Sequence, residues 1–204
     1  MMLTRIFNKI KSKRLDISVK VVSWYTRIYA RTYGIKIGKN CLFFKSPSFQ
    51  LFNDSTITIG ENCQFRSGAL TNLFGINHPC IISTLSSGAI IKIGSGSGFS
   101  GTTIGAAEHI EIGMNVMVGA NSVITDFDWH SMDPWNRNDG PKISRKVIIG
   151  DRVWIGANCL VLKGVTIGEN TVVGAGSIVT TSLPANMICA GNPCKPIKAL
   201  NAGH

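Results

Sequence analysis

Between Val147 and Thr181 a branched apolar residue recurs every six positions, at Ile149, Ile155, Val161, Ile167, Val173 and Val179. Glycine follows in four of these blocks, at Gly150, Gly156, Gly168 and Gly174. Four places after each apolar residue lies a small or medium side chain, at Val153, Cys159, Val165, Thr171, Ser177 and Leu183. A period of six matches neither an amphipathic helix, at about 3.6 residues, nor a half-buried strand, at about two. It matches a solenoid in which each block is one short strand plus a corner. The aliphatic residue points inward and glycine accommodates the tight corner. Three blocks make a coil, so Ile149 is predicted to stack on Ile167, Ile155 on Val173 and Val161 on Val179. One coil cannot bury its own apolar face, and such folds therefore come as stacks.

The signature is weaker upstream. Ile37-Gly38, Ile57 to Cys63 and Ile91 to Gly94 open blocks, Ser67 to Gly88 is irregular, and a glycine-rich stretch occupies residues 95–106. Regularity returns at Ile112, Val118 and Ile124 and then stops. Residues 125–146, TDFDWHSMDPWNRNDGPKISRK, form a loop without repeat character that contains one histidine, two tryptophans and four aspartates. A long insertion in a tight solenoid is a mark of function, and its aromatic content argues against disorder. Near the N-terminus Ile17, Val21, Trp24, Tyr25 and Ile28 recur at helical spacing with Lys20, Arg27 and Arg31 among them. This predicts a basic amphipathic helix from Asp16 to about Arg31, preceded by a shorter one over Leu3 to Ile10. The chain thus divides into a basic helical segment (1–34), a β-helix domain (35–183) with its inserted loop, and a closing segment (184–204).

Composition narrows the picture further. The 204 residues are 44% hydrophobic and include 22 glycines, which suits a packed solenoid. No run approaches the ~18 apolar residues of a membrane span, and the charges interspersed in the first thirty residues do not read as a secretory signal. A cytoplasmic protein is expected. Of six cysteines, Cys41, Cys63 and Cys159 occupy the small inward position of a block, whereas Cys80, Cys189 and Cys194 lie outside the regular blocks. No C-x-x-C pair occurs, so neither structural zinc nor a disulfide framework is expected. The net charge of +10 is concentrated: residues 1–40 hold ten Lys or Arg against one acid, Asp16, and the rest is near neutral. Two expectations follow for the basic helix. It packs on the first coil or a neighbouring subunit with its basic face solvated, or it forms a patch for an acidic partner or for the anionic surface of the inner membrane. Nucleic acid is not expected, because the repeat body has neither a binding motif nor excess positive charge.

The segment IGMNVMVGANSVITDFDWHSMDP, the coil VIIGDRVWIGANCLVLKGVTIGENTVVGAGSIVT and the ending LPANMICAGNPCKPIKAL together resemble the hexapeptide-repeat acyltransferases. Within that family they look like the O-acetyltransferases that include galactoside and maltose acetyltransferases and those of surface-polysaccharide biosynthesis. The resemblance is strong over residues 91–200 and weak over 35–90. It implies an all-β fold, a left-handed parallel β-helix, assembled as a homotrimer, that moves an acetyl group from acetyl-CoA to a sugar or glycan hydroxyl. It places the catalytic histidine at His130, a neutral imidazole able to take the acceptor proton. Asp126 or Asp128, or a backbone carbonyl, would orient that ring. The coenzyme A contacts it implies are Ala157, Ala175 and Thr180 along the pantetheine arm, with Lys195 and Lys198 near the phosphates. Thr181 stands where some relatives carry lysine.

For the acceptor the resemblance points to Ser100, while Asp128, Trp135 and Asn136 on the loop, beside Asp133 and Arg137, offer polar groups and an indole face for a sugar ring. His109 reads as a corner residue, His78 lies in the irregular segment and His204 is terminal. A γ-type carbonic anhydrase shares the fold but needs three histidines on zinc; no closely spaced pair exists, so no metal is expected. Two rival readings remain: N-acylation of an amino sugar on the same scaffold, and a non-catalytic β-helix that serves assembly.

Overall fold

The computed structural model describes residues 2–140 and 142–200, with side chains described from Ile17 onward. Eighteen short strands, from Lys36–Ile37 to Ile178–Val179, wind six times around a three-faced prism, with every third strand joining the same sheet. The second face ends in an antiparallel hairpin, Met187–Gly191 with Cys194–Ala199. Strands in successive coils pair in parallel, and the expected partners are in register: Ile149 opposite Ile167, Ile155 opposite Val173 and Val161 opposite Val179. All six are buried. The irregular upstream blocks complete the same coils.

The corners explain the glycines. Adjacent coils are one strand spacing apart, ~4.8 Å, and at the first corner the amides of Gly38, Gly60, Gly94, Gly113 and Gly150 each donate to a carbonyl of the next coil at 2.7–2.8 Å. A Cβ on Gly113 would lie 2.8 Å from the nitrogen of Asp151, so a side chain cannot enter there without moving backbone. Two residues after the glycine the chain turns through the left-handed region, and asparagine holds that place repeatedly, at Asn40, Asn62, Asn115, Asn121, Asn158 and Asn170, with φ of 55–61°. Asparagine is among the few side chains that adopt this region at low cost.

The small inward positions have a second task. Thiols of Cys41, Cys63 and Cys159 and the hydroxyls of Ser97 and Ser122 point at carbonyls of the next coil's corner glycine, at 2.9–3.3 Å. All six cysteines are free and buried. Burial pushes the thiols of Cys80, Cys159, Cys189 and Cys194 up, which keeps them protonated and inert. In the lower coils the prism is filled by a stack of Phe43, Phe65 and Phe99, with ring centroids 5.2 and 5.1 Å apart.

The first coil would expose this stack, and the N-terminal helix closes it. That helix, α1, is one continuous element, Met2–Thr32, where the sequence pattern suggested two. It ends in a left-handed Gly34, with the amides of Ile35 and Gly34 returning to the carbonyls of Ala30 and Arg31, a Schellman closure. It lies on the first coil, but not by its apolar stripe. Its buried face is Val19, Ser23, Thr26 and Ala30. The Ser23 hydroxyl accepts from the Phe43 amide at 2.9 Å, and Arg27 donates to the Cys41 carbonyl at 2.9 Å. Ile17, Val21, Trp24, Tyr25 and Ile28 face away from the coil, with Trp24 66% exposed. Small residues on the inner face let the helix sit close over the prism mouth, Val22 and Tyr29 pack partly buried against the core beside them, and the residues of the apolar stripe are turned outward.

Phe65 is the middle of the aromatic stack and is fully buried. Phe65→Ala is expected to destabilise the protein by about 3–5 kcal/mol, read as a drop in thermal midpoint at fixed protein concentration. An unchanged midpoint would show that the stack does not carry the lower core.

Candidate active site

The insertion leaves the prism at the corner between the third and first faces, from the end of Val123–Thr125 to the start of Val147–Ile149. Its root is a short antiparallel ladder: Arg145 donates to the Asp126 carbonyl at 2.8 Å, Asp128 to that of Ile143 at 2.9 Å, and Phe127 bridges Ser144. Two carboxylates fix this root to the coils on either side. Asp126, fully buried, accepts backbone N–H groups of Ala107, Glu108 and His109 at 2.7, 2.9 and 2.6 Å. Burial pushes its carboxyl up from the usual range while the three amides pull it back down. Asp128 receives Lys163, on the next coil, at 2.6 Å.

His130 stands two residues beyond this root and is exposed to solvent. Neither carboxylate is spent on it, since both oxygens of Asp126 serve amides and Oδ1 of Asp128 serves Lys163, with Oδ2 unpartnered. Beyond the histidine the loop ties to itself. The amide of buried Ser131 donates to the carbonyl of Arg137, and the Arg137 guanidinium donates to the carbonyls of Ser131 and Met132. Asp133 accepts from the Trp135 amide at 3.0 Å. Trp135, 94% exposed, and Asn136 project into solvent from this turn.

A second feature lies at a different corner, between the second and third faces. There Gly119, Gly156, Ala157, Gly174 and Ala175 line an apolar groove of about 410 Å³, walled by Trp154 and by Phe74. The groove is smooth because a Cβ at Gly156 would meet the Ala175 nitrogen at 2.5 Å. Phe74 and Asn72 belong to an excursion, residues 67–80, that leaves this same corner two coils below Gly119. Ser100, buried, accepts from Asn72 at 2.9 Å and so holds that excursion against the coil. Ser100 also lines a neighbouring hollow with Arg66, Gly98 and Met117.

The structure therefore brings Ala157 and Ala175 together, with Ser100 near the groove's foot. Lys195 pairs with Ala190 in the closing hairpin, and Ala190 approaches Gly174 at the groove's upper end. Lys198, opposite Ile188 on the same hairpin, is exposed. Thr180 is exposed at the other corner, following Ile178–Val179, apart from Ala157 and Ala175. His130, Asp128, Trp135 and Asn136 belong to the loop at that corner as well. His109 bonds Glu111 at 3.1 Å, His78 lies on the excursion 67–80, and His204 is outside the described residues.

Lys163, Trp154, Asn72 and Phe74 were not singled out from the sequence. Lys163 and Trp154 sit at outward positions of otherwise ordinary repeat blocks, and their spacing alone carries no signal. Trp129, packed on Phe127 at 4.6 Å, forms a further cleft with Leu85, Ala107 and Lys142 beneath the loop. Among the described residues, no group of three or more His, Cys, Asp or Glu is placed to hold a metal ion.

A prism of six-residue blocks whose coil is broken by an anchored histidine loop defines a hexapeptide-repeat transferase scaffold. Residues 146–181 match the profile described as bacterial transferase hexapeptide (six repeats), and residues 109–125 match the hexapeptide repeat of succinyl-transferase. The chain is 32% identical over 171 residues to the putative lipopolysaccharide biosynthesis O-acetyl transferase WbbJ of Escherichia coli K12, covering 80% of this chain and 81% of that protein. It is 35% identical over 145 residues to the galactoside O-acetyltransferase of Lactococcus lactis; the match spans 70% of this chain but only 63% of that relative's length. Among solved structures it resembles AntD, an N-acyltransferase from Bacillus cereus in complex with dTDP and 3-hydroxybutyryl-CoA. The TM-score is 0.64 at 27% identity, covering 85% of this chain and 87% of that one. The chain belongs to the hexapeptide-repeat acetyltransferase family, and its prism is the left-handed parallel β-helix of that family.

Replacing Asp126 by alanine takes the acceptor from three partly buried amides, at a cost of up to about 1–3 kcal/mol for each that water does not reach. Asp126→Ala is expected to speed hydrogen exchange at Ala107, Glu108 and His109 and to expose residues 131–140 to protease, with the upper coils unaffected. Unchanged exchange at these amides would show that the root is held otherwise.

Proposed function

We propose that this protein transfers an acetyl group from acetyl-CoA to a hydroxyl of a sugar, with His130 as general base, in the biosynthesis of a surface polysaccharide. The observation that carries the reading is the exposed imidazole on a loop whose root is tied to the coils below and above it. Such anchoring fixes where the ring stands without occupying its nitrogens, which is what a base that must meet an incoming substrate needs. The imidazole takes the acceptor proton as the oxygen attacks the thioester carbonyl. The tetrahedral intermediate then collapses, expelling the CoA sulfur, and the histidine returns the proton to it. No covalent enzyme intermediate is required.

The groove over Ala157 and Ala175 is the proposed seat of the pantetheine arm, because glycine and alanine leave backbone exposed along a strip of suitable length. Lys195 lies where an ammonium group would attract phosphate. His130 is at a different corner of the prism from this groove, so in our reading the donor and the base meet between two copies. A homotrimer that sets the loop of one copy beside the groove of the next supplies that arrangement. The relatives named as O-acetyltransferases and the CoA-bound N-acyltransferase neighbour support a CoA thioester donor and leave transfer to an amino sugar as the second reading. Alkali-labile ester products would favour the first and stable amides the second. The cytoplasm, where acetyl-CoA is made, is the proposed compartment.

His130→Ala is expected to lower turnover by about 10²–10⁴-fold while leaving CoA affinity, measured by titration calorimetry, unchanged. Turnover at the wild-type rate would overturn the assignment. Ala175→Phe, which fills the groove without touching the loop, is expected to abolish CoA binding; wild-type affinity would place the donor elsewhere.

A further inference from the structure

Among the described residues, no other element covers the outward stripe of α1. Ile17, Val21, Trp24, Tyr25 and Ile28 are 45–66% exposed. At about 100° per residue they fall within one narrow face, opposite Val19, Ser23, Thr26 and Ala30. Lys20, Arg27 and Arg31 flank the stripe along one edge. At the helix's end Trp24, Arg27, Ile28, Arg31 and Lys36 line a cleft of about 480 Å³ beside the stripe. The sequence before Ile17 repeats this spacing: Leu3, Ile6, Phe7 and Ile10 precede Val21, Trp24, Tyr25 and Ile28 by 18 residues, about five helical turns. Lys9 and Lys13 precede Arg27 and Arg31 by the same interval.

We infer that the outer face of α1 is a docking surface for an anionic phospholipid bilayer, on which the helix lies flat and holds the β-helix at the membrane surface. Among the described residues, no helix is long and apolar enough to cross a membrane, so the stripe suits the interface rather than the interior. Its chemistry fits that depth. Branched aliphatic side chains enter the acyl boundary, Trp24 and Tyr25 sit where one end of an aromatic is wet, and the flanking cations meet headgroup phosphates. Charge argues against a second copy as the occupant. The flank is positive, residues 1–40 carry ten basic groups against one acid, and the remainder of the chain has no acidic excess to offset them. The surface is independent of the chemistry proposed for His130, since α1 covers the first coil and the loop leaves the fourth.

The test is sedimentation of the full chain with phosphatidylcholine vesicles, with and without about 30% phosphatidylglycerol, at ~0.1 M salt. Two triple variants accompany it: Val21→Ser with Trp24→Ser and Ile28→Ser, and Lys20→Gln with Arg31→Gln and Lys36→Gln. All six positions are outside the buried face, so folding and CoA titration are expected to stay at the wild-type level. The wild-type chain is expected to pellet with the anionic vesicles and remain soluble with the neutral ones. Each triple variant is expected to lower partitioning by about tenfold or more. Equal partitioning of all three proteins, or no partitioning of the wild type, would overturn the inference. So would a change in native mass of the serine variant, which would make the stripe a subunit contact.

Discussion

The distance between one coil and the next governs this molecule. At ~4.8 Å, coils joined by parallel backbone ladders leave no room for a side chain where the chain turns. The turning positions are therefore filled by glycine and by left-handed asparagine. Inside the corners the same closeness favours a small group that can donate to the carbonyl above it, and cysteine, serine and threonine meet that need while remaining buried. The six-residue period is a consequence of this spacing, because each block must supply one inward aliphatic, one tight corner and one small filler. Cysteines that invite a metal or disulfide reading are here packing groups with a weak hydrogen bond.

The same constraint decides where chemistry can be placed. A stack that tolerates no side chain between coils tolerates no insertion within a face, so extra chain leaves at corners. Two segments do so. The excursion 67–80 leaves at the corner of the second and third faces, and the loop 126–146 at that of the third and first. A loop leaving a corner needs anchoring or it wanders, and Asp126 and Asp128 provide it in opposite directions along the axis. Asp126 reaches down to three amides of the preceding coil, and Asp128 reaches up to Lys163 of the following one.

How much of this could be read from the sequence depended on whether a feature was periodic. Stacking of Ile149 on Ile167, and of the other pairs in that coil, followed from period alone, because register in a solenoid is set by block length. The loop around His130 was visible as the place where the period stops. What escaped were features made by residues distant in sequence. Lys163 reads as an ordinary outward lysine until the loop folds beside it. The stack of Phe43, Phe65 and Phe99 spans three coils whose blocks are irregular, so no fixed interval announces it. The helix is the instructive error of emphasis. Its apolar periodicity was plain, yet the face that packs is the inconspicuous one of Val19, Ser23, Thr26 and Ala30. Hydrophobicity marks which residues avoid water, whereas close approach over the prism mouth selects small ones, and here the two criteria name opposite sides of α1.

If the donor lies in the groove and His130 is the base, as proposed, assembly and activity are linked. Within one chain the imidazole and the glycine-lined groove occupy different edges of the triangular prism, and the loop that carries the imidazole is rooted by Asp126 and Asp128. Under the function proposed above, a reaction between a donor in the groove and an acceptor at the imidazole would require a second copy, and the catalytic geometry would be a property of the interface. Subunit affinity would then set activity as directly as any side chain does, because a dissociated chain keeps its fold, its groove and its histidine but not their juxtaposition. In the proposed assembly the stiffness of the solenoid would be useful, because it would carry the placement of one corner to the next copy with little slack, and each copy would lend its neighbour the half of the site that its own geometry does not reach.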